Sequence, residues 1–444
     1  MITVAHKIEL QPNNKQKTYF KKAFGCSRLA YNWALGEWKS RYERGEKVDA
    51  YTLKKDFNAI KREQFPFVLE VTKYATQQPF LNLDKAFKKF FADLKKGVVS
   101  YPQFKKKRSN QGSFYIGGDQ VKLSETNRNS KRFLTMPHNA NQKHQYLKVP
   151  NLGWVKMSER LRFLGKINGV AISQHGSKYY ASFSVVVTDD EYARTHKHSD
   201  HKERHAVGID LGIKEALTLS DGIFIENPKI LNKYERQITR LSRQLNKRIH
   251  PKTKEDVLNG VRKSNNYLKL SLKLSNLHHK VANTRTDFIN KVTSILTSTY
   301  SDIAIENLNV KGMLKNHRLS KFVTDVSFYE IRRQLEYKSA YNNVKIVDAD
   351  TFYASSKTCS KCGAVKEDLS LSDRTYVCPH CGATIDRDYN ASLNLLNLIS
   401  SKKIGTDYPE FTPVDLTALQ SCFELNGIVT SKVESGKQHN YNIL

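Results

Sequence analysis

Between Ser355 and Asn394 the chain reads SSKTCSKCGAVKEDLSLSDRTYVCPHCGATIDRDYNASLN. Two Cys-x-x-Cys pairs, Cys359/Cys362 and Cys378/Cys381, stand fifteen residues apart. Each such turn presents two thiolates to one side, and two turns complete a tetrahedral site. The spacing is that of a zinc ribbon holding one structural Zn²⁺. Gly363 and Gly382 directly follow the second cysteine of each pair, where a tight knuckle needs a small residue. A redox role would need a single pair, ordinarily in a thioredoxin-like setting. Six cysteines in 444 residues, with Cys26 and Cys422 standing alone, exclude a disulfide scaffold.

Carboxylates form the second constellation. Asp210 and Glu306 each end an apolar, strand-like run (AVGID and DIAIE), and Asp388 follows a turn and opens a helix. Three carboxylates from separate elements can converge on two Mg²⁺ or Mn²⁺ ions about 3.5–4 Å apart. One ion would polarise an attacking water and the other would stabilise a leaving 3′-oxygen. Acidic residues at strand ends are also common on surfaces, so spacing alone leaves competitors. Asp302, Asp348 and Asp350 are alternatives, and Asp386 competes with Asp388.

Stepping outward, Thr3 to Leu10 alternates like a strand, and Pro12-Asn13-Asn14 turns it into a helix carrying Phe20, Phe24, Leu29 and Trp33. Phe80, Leu83, Phe87, Phe90 and Leu94 keep helical spacing behind Pro79, which should start or kink that helix. Short strand-like runs fill Phe114 to Val187, with a hairpin turn at His175-Gly176-Ser177, and suggest a small barrel. His196, His198, His201 and His205 lie in a charged stretch without apolar framework, read as a linker rather than a metal site. IKEALTLSDGIFIEN forms a hairpin around Asp221-Gly222, and two long helices follow, folded back near His250-Pro251. Val344 to Asp350 is a further strand, and Tyr389 to Ile399 a helix.

Lys and Arg number 73 against 43 Asp and Glu, a formal net charge of +30, and self-repulsion of that size implies a polyanionic partner. No run approaches the roughly 18 apolar residues that span a bilayer, and MITVAHKIEL lacks the apolar core of a signal peptide. No membrane partner is expected, and the expected location is the cytoplasm.

The order GIDLG, IENL, the paired Cys-x-x-Cys and DRDYNAS, with LQPNNKQ, FGCSRLAYNWAL, YPQFKKK and VPNLGWVKM before them, resembles the TnpB family. These are transposon-encoded RNA-guided DNA endonucleases, similar to compact type V CRISPR effectors. The resemblance implies a multidomain α+β protein. A RuvC-type, RNase H-like nuclease would occupy 206–357 and 383–402, with the zinc ribbon inserted at 358–382. A wedge barrel would comprise 1–11 and 113–189, and a helical recognition domain 12–112. Residues 190–205 would link these, and 403–444 would form a flexible tail. The catalytic triad would fall on Asp210, Glu306 and Asp388, since relatives keep only the second acid of the DRD turn. Tyr51, Lys73 and Gln77 match positions that contact the target-adjacent motif, and Lys357 is available to nucleic acid. Implied partners are a guide RNA from the transposon end, with one or two copies of the protein on it, and double-stranded target DNA in a prokaryotic nucleoid. A strand-transferring transposase and a non-cleaving RNA-guided repressor are the alternatives. The ribbon argues against the first, and the filled triad against the second.

Overall fold

The structure is a computed structural model that describes residues 1–107, 110–125, 145–195, 205–350, 353–370, 373–401 and 415–432. The chain divides into two compact units, Met1–His196 with Leu241–His279, and Lys197–Arg240 with Lys280–Leu444.

In the first unit, β1 (Ile2–Gln11) buries alternate residues, including Val4, Ile8 and Leu10. Asn13 then caps α1 (Asn14–Glu43). Its side chain accepts the Gln16 backbone N–H at 2.9 Å, and the Gln16 side chain accepts the Asn13 N–H at 3.0 Å. Helices α2 (Ala50–Gln64) and α3 (Lys73–Leu94) pack on α1 around Leu35, Trp38, Phe57, Phe80, Leu83 and Phe87. Trp38 stacks on Phe87 with ring centroids 4.1 Å apart. Pro79 does not open α3; the helix begins at Lys73, and Pro79 is buried inside it. The ring removes one backbone donor, while Phe80, Leu83 and Phe87 hold the helix against its neighbours.

The strands that follow are β2 (Gln111–Gly117), β3 (Lys122–Ser124), β4 (Tyr146–Val149), β5 (Gly153–Met157), β6 (Lys166–His175) and β7 (Lys178–Val187), and then helix α4 (Asp189–Thr195). LKVPNLGWVKM is itself a hairpin, β4 turning into β5. The sheet order is β2-β6-β7-β1-β5-β4-β3, antiparallel throughout, with the N-terminal strand in the middle. Its edges are β2 and the three-residue β3, which do not pair with each other among the described residues. The expected barrel is therefore an open sheet. His196, His198 and His201 lie outside the described residues, while His205 opens the next strand.

The second unit is built on β8 (His205–Leu211), β9 (Glu215–Leu219) and β10 (Ile223–Glu226). Helix α5 (Ile230–Asn246), short α6 (Lys254–Leu258) and α7 (Asn265–Thr299) form the folded-back pair read from the apolar spacing. The Leu241–His279 part of this pair belongs to the first unit, where Asn276 accepts the Ser177 N–H at 2.8 Å. Then come β11 (Tyr300–Ile305), α8 (Val310–Lys315), α9 (Ser320–Val326), α10 (Phe328–Asn342) and β12 (Lys345–Asp348). The cysteine module carries β13 (Thr375–Val377) and β14 (Thr384–Asp386), and α11 (Arg387–Ser401) follows. The tail read as flexible supplies α12 (Leu416–Leu425) and β15 (Thr430–Lys432). Leu419, Phe423 and Ile428 join the hydrophobic core, and β15 pairs with β10. The sheet order is β12-β11-β8-β9-β10-β15, parallel across its first three strands and antiparallel beyond. No helix among the described residues is long and apolar enough to cross a membrane.

Candidate active site and zinc centre

Strand alternation decides which acids share a face. Val207 and Ile209 of β8, with Ile303 and Ile305 of β11, enter the large core with α7 and α10. Ala206, Ala304 and Val347 face the other way, onto Leu395 and Ile399 of α11. Counting in twos, Asp210 and Glu306 continue the α11 face. Ile209 pairs with Ile305 in register, so both acids emerge together at the carboxyl ends of two parallel strands, where open sheets receive ligands. Asp348 pairs with Ile305 and so takes the opposite face, in an ion pair with Arg332 at 2.7 Å. Asp302 shares the parity of Glu306 but sits at the far end of β11. Asp350 lies beyond β12 and is exposed.

Helix α11 brings the third acid. Its backbone lies directly on β8 at Gly208, where an added Cβ would stand 2.0 Å from the Ser392 carbonyl oxygen and 2.5 Å from the Leu396 nitrogen. The Gly208 N–H donates to Ser220 Oγ at 3.0 Å. Asp388 occupies the first turn of α11. Asp386 accepts the N–H groups of Asp388 and Tyr389, both at 3.0 Å, and so serves as the helix cap. Arg387 donates to Asp388 Oδ1 through Nε at 3.2 Å and Nη2 at 3.1 Å, and Arg374 Nη1 reaches Oδ2 at 3.4 Å.

The electrostatics of the three acids are coupled. Asp210 keeps a partly exposed edge, yet burial pushes its carboxyl well above the usual range, with the charges of Glu306 and Asp388 adding to the effect. Among the described residues no hydrogen bond or ion pair reaches that carboxylate. Burial also raises Glu306, against a hydrogen bond from Ser355 Oγ that lowers it, and the Asp388 charge raises it further. Asp388 is balanced by Arg387 and Arg374, and the repulsion left on Asp210 and Glu306 is of the kind a hard divalent cation relieves. Among the described residues, only the four cysteines form a group whose ligand atoms all lie within 4.8 Å of one another. Asp210, Glu306 and Asp388 do not form such a group.

The cysteine site is tighter. Cys359 Sγ lies 3.7 Å from Cys381 Sγ, and Cys362 Sγ lies 3.6 Å from Cys378 Sγ. A tetrahedron with Zn–S bonds of about 2.3 Å has edges near these lengths. Gly363 and Gly382 take positive φ, +76° and +69°, and their N–H groups close the knuckles onto the carbonyls of Cys359 and Cys378. Donation from the backbone N–H groups of Cys381 and His380 pulls Cys378 down to about 6, whereas burial pushes Cys359 up to about 12, so the four thiols differ in how readily they ionise for a metal. The quartet can hold one zinc ion.

Beside Glu306 a recess of about 490 Å³ is lined by Leu211, Leu308, Lys311, Tyr329, Arg332 and Arg333. Tyr51 of α2 is 71% exposed. Lys73, at the start of α3, pairs with Asp119 at 3.6 Å, and Gln77 is partly buried one turn on. Lys357 is exposed, and its Nζ donates to the Glu367 carbonyl at 3.0 Å. Motif and spacing alone do not single out Gly208, Ser355, Asn390 and Asn394. A lone glycine in an apolar strand signals close backbone approach. Asn390 and Asn394, one turn apart on a helix with apolar neighbours, were the other available signal.

Three family profiles match in chain order: "Helix-turn-helix domain" over residues 1–47, "Probable transposase" over 182–317 and "Cas12f1-like, TNB domain" over 328–395. A protein of Streptomyces pristinaespiralis named "Putative RNA-guided DNA endonuclease" is 30% identical over 395 residues, covering 88% of each chain. This chain belongs to the TnpB-like family. Another relative is "Putative RNA-guided DNA endonuclease InsQ" of Escherichia coli K12, 28% identical over 88% of this chain and 91% of its own. The TnpB-like protein L79 of Acanthamoeba polyphaga mimivirus is 32% identical over 46% of this chain and 39% of its own. A solved structure of the mini-RNA-guided endonuclease CRISPR-Cas_phi3 covers 92% of this chain and 93% of its own at 11% identity, with a TM-score of 0.44. That likeness is too loose to add to the sequence match.

Proposed function

We propose that this member of the TnpB-like family is an RNA-guided DNA endonuclease whose chemistry rests on Asp210, Glu306 and Asp388. The observation that carries the assignment is the meeting of those three acids, from β8, β11 and α11, on one face of one sheet edge. Two Mg²⁺ or Mn²⁺ ions bound there would activate water and stabilise the leaving 3′-oxygen of a phosphodiester. The chain's own part is to fix the donors: β8 and β11 hold Asp210 and Glu306 in register, and the Asp386 cap holds the first turn of α11 with Asp388. Arg374 and Arg387 reach Asp388, and their charge would suit the phosphate of a cleaved strand. Lys311, Arg333 and Tyr329 in the neighbouring recess suit the backbone and a base of that strand.

The sheet, an antiparallel meander extended by two parallel strands, supports a RuvC-type, RNase H-like core at 206–357 and 383–402. The four-cysteine module, with Lys357, is then a zinc ribbon inserted before the last acid. Helices over 12–112 and the open sheet built from 1–11 and 113–189 are the proposed recognition and wedge parts, with Tyr51, Lys73 and Gln77 toward the target-adjacent motif. The partners are a guide RNA from the transposon end and double-stranded DNA. A net charge of +30 suits a heteroduplex recognised through its backbone.

The test is to purify the protein from its native locus, sequence the RNA it retains, and offer DNA matching that RNA. Cleavage that needs the RNA, and that Asp210→Ala abolishes while RNA retention persists, is the expected result. RNA-free strand joining, or full-rate cutting by Asp210→Ala, would overturn the proposal.

A further inference from the structure

Ser355 links Glu306 to the segment that carries Cys359. It is only 3% exposed, and its hydroxyl donates to Glu306 Oε1. Its carbonyl accepts from Asn394 Nδ2 at 2.7 Å, and the same Nδ2 donates to the Thr358 carbonyl at 2.6 Å. One turn earlier on α11, Asn390 Nδ2 donates to that Thr358 carbonyl at 2.7 Å, and Asn390 Oδ1 accepts the Ser360 N–H at 2.9 Å. Both asparagines are buried, at 0% and 3% exposure, so these bonds are their compensation for leaving water.

The segment from Ser355 to Ser360 is thereby clamped along its length to the face of α11. It carries Cys359, the first thiol of the quartet, while α11 carries Asp388 in its first turn. A single hydroxyl at the head of this segment reaches Glu306, which directly follows β11 and lies 49 residues earlier in the chain.

We infer that Ser355, gripped by Asn394, is a positioning residue through which the cysteine module and α11 set the Glu306 carboxylate. The inference rests on the proposed role of Glu306 as a metal ligand. A hydroxyl holding one carboxylate oxygen leaves the other free to face Asp210 and Asp388. Without that bond the Glu306 side chain regains rotamers that point its oxygens away from the shared site. Removing a partner of this kind from a metal ligand typically weakens the metal about 10–100-fold.

Mn²⁺ is the probe, titrated onto the full chain carrying its zinc, with free Mn²⁺ read by its electron spin resonance. Ser355→Ala is expected to weaken Mn²⁺ binding about 10-fold or more at unchanged zinc content and melting temperature, and Ser355→Thr to restore it. Should the alanine variant lose zinc or melt early, the shape-matched pair Ser355→Thr and Ser355→Val isolates the hydroxyl, with loss expected only in the valine variant. Glu306→Gln is the reference. If it binds Mn²⁺ as tightly as the unaltered chain, the metal-ligand reading itself fails. If Glu306→Gln loses Mn²⁺ while the variants lacking the hydroxyl bind normally, the positioning role of Ser355 is overturned and the ligand reading stands.

Discussion

Asp210 concentrates the energetic conflict of the site in one carboxyl group. Burial raises it first, then the charges of Glu306, Asp388 and Asp386, against the opposing charge of Arg387. A folded pKa above the unfolded value of about 3.9 means the folded chain keeps a proton that the unfolded chain has released. Between the two values stability therefore falls as pH rises, and above that window the fold carries the full cost of an ionised, repelled carboxylate. Asparagine cannot ionise. Without added divalent metal, Asp210→Asn should raise the melting temperature near pH 7, by about 2–4 °C for each kcal/mol relieved. The gain should vanish once pH falls well below about 3.9, where both states are protonated. A lower melting temperature at neutral pH would refute the electrostatic account. Asp386 is the contrasting case, because its carboxylate already accepts two backbone N–H groups. Asp386→Ala should cost about 1 kcal/mol through loss of the cap, seen as an earlier melt, whereas Asp388→Ala should stop cleavage with a smaller effect on melting. Equal loss of cleavage in both variants would show that the cap and ligand roles are not separable.

At the scale of elements, the site exists because α11 can touch β8. A side chain at 208 would put a Cβ 2.0 Å from a backbone carbonyl oxygen, a clash that no rotamer relieves. Normal contact needs about 3.5 Å, so Gly208→Ala must lift the helix and carry Asp388 away from Asp210. The expected result is destabilisation of about 1–3 kcal/mol and a loss of cleavage near 100-fold, the usual consequence of a displacement of about 1 Å. Zinc content should stay unchanged, because the quartet does not lean on Gly208. Unchanged cleavage by this variant would sink the close-packing argument. Much of this arrangement was legible from local pattern. The apolar runs before Asp210 and Glu306, the cysteine spacing and the heptad-like helices each carry their signal within a few residues. What was not legible depends on partners distant in sequence. β1 lies between β7 and β5, pairs formed across more than 140 residues, so alternation alone could not distinguish an open sheet from a barrel. The tail offered two short, mixed segments whose value lies only in packing Leu419 and Phe423 on a core built elsewhere. Pro79 misled because its local cost is offset by contacts of Phe80 and Phe87 with other helices. Ser355 and the two asparagines act through hydrogen bonds that no periodicity announces.

For the whole molecule the governing quantity is charge. An excess of +30 spread over 444 residues costs stability by self-repulsion unless a polyanion neutralises it, and 73 basic side chains cannot all find partners among 43 acidic ones. Many of the ion pairs that do form are exposed, such as Lys22–Glu70 and Arg44–Glu46, and such pairs add little. With nucleic acid as the proposed polyanion, its contribution should be counted in displaced counterions. A protein contacting about 6–10 phosphates loses about 10³–10⁵ in affinity between 50 and 200 mM salt. RNA binding by this chain should fall at least that steeply, with log affinity linear in log salt concentration. The proposed binding of Mg²⁺ at the part-buried acids should change less over the same range, since partly buried charges are screened less than exposed ones. The melting temperature should follow the first curve, rising when RNA is added at low salt and losing that gain as salt displaces the RNA. Parallel titrations of RNA affinity and melting temperature against salt check this. A shallow RNA slope would mean that the basic residues serve some end other than phosphate contact, and the charge argument for an RNA partner would fall with it.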